Sequence, residues 1–344
     1  MSSLALAGLA GAAFIARLIL LVLDPLPLAP GDIALAKALA SLGAVVLPAS
    51  AEDALSAIVT HGSGVWPRLP GLLALTAAGW GLGRLGTRLY DARAGLLAAL
   101  LFLTLPGVSL AAAQTTVASV LPLLWLLGVA SLLHALQTDT LAGWLGLGVC
   151  LGVGLGLSPT TALFFPCLLL YALISPETYS LGRRRGVWLA LAPGLILTAP
   201  GLAQLAPLAP TPGTALAFAL SVALLLGPLT LVLALAPWSR HRTADDRRRQ
   251  GYRARLLLAF SAPLLAGLVG LAALNQAPAP DLALPAGLGL ALLIASALGP
   301  RARGRWIIAG VVLVHIGLGA WLLHGAAAGT LDPVRALGAL SLPF

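Results

Sequence analysis

Residues 306–323 read WIIAGVVLVHIGLGAWLL, a run without a single Asp, Glu, Lys or Arg. As a helix it extends about 27 Å, close to the hydrocarbon thickness of a bilayer. Working outward, the same apolar signal recurs near residues 4–23, 69–86, 94–112, 117–136, 141–157, 160–175, 187–205, 214–237, 256–274 and 282–299, so the sequence predicts about eleven transmembrane helices. The pair 141–157 and 160–175, separated by Ser158 and Pro159, reads as a tight hairpin or one broken span. Across 344 residues the chain is 59% hydrophobic and 9% charged, with mean hydropathy +1.00. These values predict an all-α polytopic membrane protein, one transmembrane domain over 1–344, and exclude a disordered chain, a DNA-binding domain or an ordinary soluble enzyme. Its 39 Gly and 25 Pro predict helices that approach closely and kink.

The net charge of +9 is a matter of topology rather than of nucleic-acid binding. Arg84, Arg88 and Arg93 follow the second segment, Arg183–Arg185 the sixth, Arg240 to Arg255 the eighth, and Arg301, Arg303 and Arg305 the tenth. All four clusters fall on one side of an eleven-helix arrangement, which the positive-inside rule makes the cytoplasm. The amino terminus and the basic loop 238–255 are then cytoplasmic, and the tail 325–344 is external. The first segment, with Arg17 inside it and no basic leader, reads as a retained helix.

The first external loop, 24–68, opens on a proline-rich stretch from Asp24 to Pro30. Two short amphipathic helices are predicted after it, Ile33–Leu42 and Asp53–Val59, with Asp32 and Ser50 as N-caps. Cys150 and Cys167 fall in apolar runs and read as inert core thiols, and His134, His315 and His324 as packing residues. The glycines from Gly146 to Gly156 sit in an apolar helix with no preceding strand, so close packing explains them better than phosphate binding.

Arg17 in the first helix, the proline-rich exit, Asp32 opening an external helix and Arg68-Leu69-Pro70 at the start of the second resemble the GT-C superfamily of polyprenyl-phosphate-sugar-dependent glycosyltransferases. The nearest branch is the family-39 type, the protein mannosyltransferases and aminoarabinose transferases. The likeness continues in order through Leu89 to Gly95, Gly152 to Pro166, Ser175 to Arg185 with Trp188 to Ala190, and Asn275 to Ala279. There are departures from the family pattern. Asp32 is followed by Ile33 rather than by a second acid, and Gln114-Thr115-Thr116 lacks the acid of a Thr-Pro-Asp motif. Pro159 replaces the Lys of Leu-Ser-Lys-Tyr, Gln276 replaces the Trp of Asn-Trp-Pro, and Leu47-Pro48-Ala49 is what remains of a His-Pro-Pro segment.

The resemblance implies a bacterial inner-membrane protein whose partners are a lipid-linked sugar and membrane lipid. Sugar transfer from a lipid phosphate needs a base on the acceptor and positive charge opposite the departing phosphate. Asp32 is the candidate catalytic base; its structural alternative is a simple helix cap. Lys37, Arg68 and Arg17 are the candidate phosphate-binding cations, and Arg17 could equally pair with a loop acid or snorkel. Glu52 and Asp53, with His61, are the candidate ligands for a divalent metal cofactor, against a solvated helix face. Three functions follow: an active glycosyltransferase, a degenerate relative serving as scaffold or partner subunit of another membrane protein, and a transporter or lipid-binding protein. Helices this poor in polar residues disfavour the transporter.

Overall fold

The computed structural model describes residues 2–23, 68–114, 117–175, 186–188, 190, 212–235, 244–274, 279–298 and 302–327. Among them there are helices and 3-10 turns but no strands. We number the helices α1 (Ser2–Leu23), α2 (Leu69–Leu89), α3 (Ala92–Thr104), α4 (Pro106–Gln114), α5 (Val117–Thr138), α6 (Leu141–Leu157), α7 (Phe164–Ile174), α8 (Pro212–Leu225), α9 (Pro228–Leu235), α10 (Ala244–Ala273), α11 (Leu284–Leu298) and α12 (Ala302–Ala327). Ala118–Thr138, Gly251–Ala273, Pro280–Leu298 and Arg303–Gly325 are each long and apolar enough to cross a membrane, and two bent pairs raise these four spans to six. Leu4–Ile19, Leu141–Leu157 and Pro159–Ile174 are shorter apolar helices. Most of the expected segment 187–205 lies outside the described residues, as do the loop 24–67 with its two predicted amphipathic helices and the tail beyond Ala327.

Two expected spans are not continuous. The run 94–112 divides into α3 and α4, bent by 57° at Leu105. Pro106 has no N–H to return to the Phe102 carbonyl, and the Leu105 N–H takes that carbonyl instead at 3.1 Å. The run 214–237 divides into α8 and α9, bent by 94°. Gly227 stands between them at φ 77, a left-handed conformation natural to glycine, and Pro228 opens α9. The basic stretch 238–255 is likewise not all loop, because α10 begins at Ala244 and carries it into the next span. Its arginines and Gln250 are good helix formers, and a strong charge pattern does not oppose helix formation.

Between α6 and α7, Ser158 is extended and Pro159 opens a 3-10 turn over Pro159–Leu163, so this boundary is a broken connection. The α2–α3 hairpin turns at Asp91, whose carboxylate accepts from the N–H groups of Arg93 (2.8 Å) and Ala94 (2.7 Å). Here the backbones touch: a Cβ on Gly86 would lie 2.7 Å from the Gly95 Cα, and one on Gly95 would run into the Gly83 carbonyl oxygen. Glycine therefore permits this approach, and dispersion across the interface replaces the hydrophobic drive absent in lipid. The α5–α6 hairpin turns at Asp139, in the left-handed region at φ 51, a conformation aspartate tolerates better than most side chains. The core gathers Leu72, Leu75, Leu101, Phe102, Leu105, Leu132, Phe164 and Tyr171. α12 lies at the rim, with only 28% of its span buried within the chain and Trp306 and Trp321 exposed.

Candidate functional site

The described arginines separate the two ends of the bundle. Arg88 and Arg93 flank the α2–α3 turn, Arg84 lies over Trp80 at 5.3 Å, and Arg253 of α10 lies over Tyr90 at 5.1 Å. Arg255 donates from Nη1 to the Ile174 carbonyl at 3.1 Å, tying α10 to the end of α7. Burial pushes the Tyr90 phenol up, while a hydrogen bond with Ser296 and the charge of Arg253 pull it back. The contacts of Arg253 and Arg255 tie α10 to the ends of α2 and α7, which suits anchoring.

At the opposite end the helices are irregular, and the two described candidate cations sit there. Leu6 lies against Gly83, so α1 and α2 run antiparallel with Arg17 and Arg68 toward the same, Leu23/Leu69 end. Arg68 precedes α2, with Pro70 in the first turn behind it, and is fully buried. Arg17 donates from Nη2 to the carbonyl of Leu103. That carbonyl is in the last turn of α3, where Pro106 ends the ladder, so the guanidinium serves as a C-cap supplied by another helix. Its Nη1 is buried and meets no hydrogen-bond partner among the described residues. Arg17 therefore pairs with backbone rather than with a described acid, an arrangement absent from the alternatives the sequence suggested.

The two helix breaks meet in this half. Leu105 of the first and Leu226 of the second both lie against Gly287 of α11. His315 of α12, fully buried, lies against Gly227 and shares a 2.9 Å hydrogen bond with Thr230 of α9. The His315–Thr230 pair was missed by reading each histidine singly; the signals were Gly227-Pro228 and Pro106-Gly107 inside apolar runs, both marks of a break. At the turn between α6 and α7, Ser158 and Thr160 share a 2.7 Å hydrogen bond and Thr161 donates to the Gly154 carbonyl at 2.9 Å. The turn that carries Pro159 in place of a lysine thus satisfies its own hydroxyls.

Asp32, Lys37, Glu52 and Asp53 lie outside the described residues. Among the described residues no three His, Cys, Asp or Glu side chains come together as a metal site. At this end the described cations are Arg17, half-buried at the broken end of α3, and Arg68, fully buried before α2.

Residues 53–203 match the family model described as dolichyl-phosphate-mannose-protein mannosyltransferase. No curated protein sequence matches the chain. Among solved structures, the chain is similar to ArnT from Cupriavidus metallidurans bound to undecaprenyl phosphate, with TM-score 0.60 at 17% identity. It is similar also to ArnT from the same organism in the apo state, with TM-score 0.52 at 18% identity. Both matches cover 95% of this chain and 65% of the other, so the chain spans about two thirds of the length of the solved structures it matches. At the level of the fold the resemblance is borne out: the chain has the fold of the ArnT structures.

Proposed function

We propose that this chain, built on the GT-C fold, transfers a sugar from a polyprenyl-phosphate donor to an acceptor at the end of the bundle opposite its arginine clusters. The observation that carries the reading is the match along nearly the whole chain to a structure that holds undecaprenyl phosphate. Arg17, capping the broken end of α3, and Arg68, fully buried before α2, support it. In the proposed step Asp32 takes the proton of the acceptor hydroxyl as that oxygen attacks the anomeric carbon. The bond from the anomeric carbon to the phosphate oxygen breaks, and Arg68, Lys37 and Arg17 offset the charge that the phosphate carries away. Glu52 and Asp53 are the pair at which a divalent ion would be sought, and the step is not routed through it. The positive-inside rule applied to the arginine clusters supports an external acceptor side, and the family resemblance supports a bacterial inner membrane.

Transfer by the purified chain from a polyprenyl-phosphate sugar tests this, with Asp32→Asn as the variant. A cap survives that change and the base does not, so transfer is expected to fall by at least about 100-fold with folding intact. Unchanged transfer would reject Asp32 and move the search to Glu52 and Asp53.

A second reading is favoured by the Pro159 turn, which closes on its own hydroxyls where the resemblance calls for a cation. In it the chain is a catalytically silent GT-C relative that associates with another membrane protein. A stable hetero-complex without turnover, seen by native mass measurement after gentle extraction, is its expected result; a monomer that turns over the donor contradicts it.

A further inference from the structure

α2 divides lengthwise into two faces. Leu72, Leu75 and Leu82 are buried in the core, while Leu73, Trp80, Arg84 and Arg88 are exposed. Trp80, Arg84 and Arg88 recur every four residues, so they stand in one line along the helix, with Leu73 further down it. With Leu73 and Trp80 outward, this is a face that meets lipid rather than protein.

Arg84 does not reach out of that layer. Its guanidinium lies over the Trp80 ring at 5.3 Å, toward the middle of the helix and away from the Asp91 turn. Along the axis Arg84 stands about 8 Å and Trp80 about 14 Å from Leu89. An arginine near the end of a membrane helix ordinarily extends its stem toward water, and this one turns inward. A cation so placed on a lipid-facing surface is costly unless an anion meets it.

No described acid supplies that anion. α2 contains no Asp or Glu, and Asp91, at the adjoining turn, gives its carboxylate to the N–H groups of Arg93 and Ala94. Among the described residues the guanidinium groups of Arg84 and Arg88 make no ion pair or hydrogen bond. Stacking on Trp80 occupies the flat face of the Arg84 guanidinium and leaves its in-plane N–H groups for an acceptor. Arg88, one turn on, brings a second positive charge to the same line, and like charges at this spacing repel unless an anion lies between them. The anion that a bilayer presents beside a lipid-facing helix is a lipid phosphate.

We propose that the line Trp80, Arg84 and Arg88 binds an anionic phospholipid, its phosphate between the two guanidinium groups and an acyl chain along Trp80 and Leu73. The site is on the outside of the bundle, at the end opposite Arg17 and Arg68, and the claim is independent of sugar transfer.

The detergent-purified full chain is to be titrated with phosphatidylglycerol and with phosphatidylcholine, both carrying dioleoyl chains, and the first bound lipid followed by native mass spectrometry. Phosphatidylglycerol is expected to bind about tenfold or more tightly, the effect of a charge-assisted contact. Arg84→Gln is expected to erase that preference. Trp80→Leu, which keeps both charges and removes the ring under Arg84, is expected to reduce it about threefold. Arg305→Gln, which removes an exposed arginine at the same end of the bundle from another helix, is expected to leave it unchanged. If Arg84→Gln lowers the apparent Tm, Trp80→Leu and the unaltered chain decide alone. Equal binding of the two lipids by the unaltered chain overturns the proposal, as does an undiminished preference in Trp80→Leu. An equal loss in Arg84→Gln and Arg305→Gln would mean diffuse surface charge only and overturns it too. A dimer of the chain that Arg84→Gln disperses would assign the face to protein and likewise overturns it.

Discussion

At the arginine-rich end, helix passes to helix through closed turns: Asp91 caps α3 with two hydrogen bonds, Gly86 and Gly95 bring two backbones into contact, and Arg255 ties α10 to α7. At the opposite end helices stop inside the apolar layer, at Leu105 and at Gly227, with Arg17 half-buried beside the first and His315 buried beside the second. The first arrangement closes its turns on caps and close backbone packing. The second leaves carbonyls and charged donors where lipid would not tolerate them unpaired, and such places in membrane proteins line ligand paths. Closed turns and helix breaks thus fall toward opposite ends of the bundle.

The largest effect that would sharpen this contrast is at the scaffold end. Gly95→Leu drives a side chain into the Gly83 carbonyl and the Thr87 backbone, neither of which can move without parting α2 from α3. A loss of about 3 kcal/mol or more is expected, read as a collapse in detergent-solubilised yield and apparent Tm. A variant with unaltered Tm would show that the hairpin is not the rigid element described.

Arg17→Leu comes next. It strips the Leu103 carbonyl of its donor, and a cost of about 1–3 kcal/mol is expected. Arg305→Leu, on an exposed arginine at the other end, should stay within about 0.5 kcal/mol. Thermal unfolding of the two variants side by side checks the pair, and equal shifts would break the distinction between a buried cap and a surface anchor.

The smallest effect is at the caps. Asp91→Ala should cost about 1 kcal/mol, because two N–H groups lose their acceptor. Thr140→Ala, at the N-cap of α6, should cost markedly less, since that hydroxyl pairs with Thr138 and makes no cap bond. Hydrogen exchange over the first turns of α3 and α6 reads the difference directly.

Much of this was legible in the sequence. The apolar runs gave the class of fold, and Asp91 before Ala92-Arg93-Ala94 is an ordinary cap signal. The helix breaks were written in Pro106-Gly107 and Gly227-Pro228, yet a hydropathy window averages over them, because a break changes backbone geometry without changing apolarity. Arg17 was recognisable as a costly intramembrane charge. Its partner was not, because a backbone carbonyl 86 residues away becomes an acceptor only after α3 has ended and packed beside α1. The Thr230–His315 pair is 85 residues apart and likewise emerges from packing alone.

The central claim is that the end holding Arg17 and Arg68 is where a lipid phosphate binds. Binding of undecaprenyl phosphate to the purified chain, measured by native mass spectrometry, tests it most directly when Arg68→Gln and Arg17→Gln are compared with the double variant Arg303→Gln/Arg305→Gln. The account predicts that each of the first two weakens binding about tenfold or more, the loss of one charge-assisted contact, while the double variant binds as the unaltered chain does. Equal weakening by the double variant, or full binding by Arg68→Gln and Arg17→Gln, would contradict it.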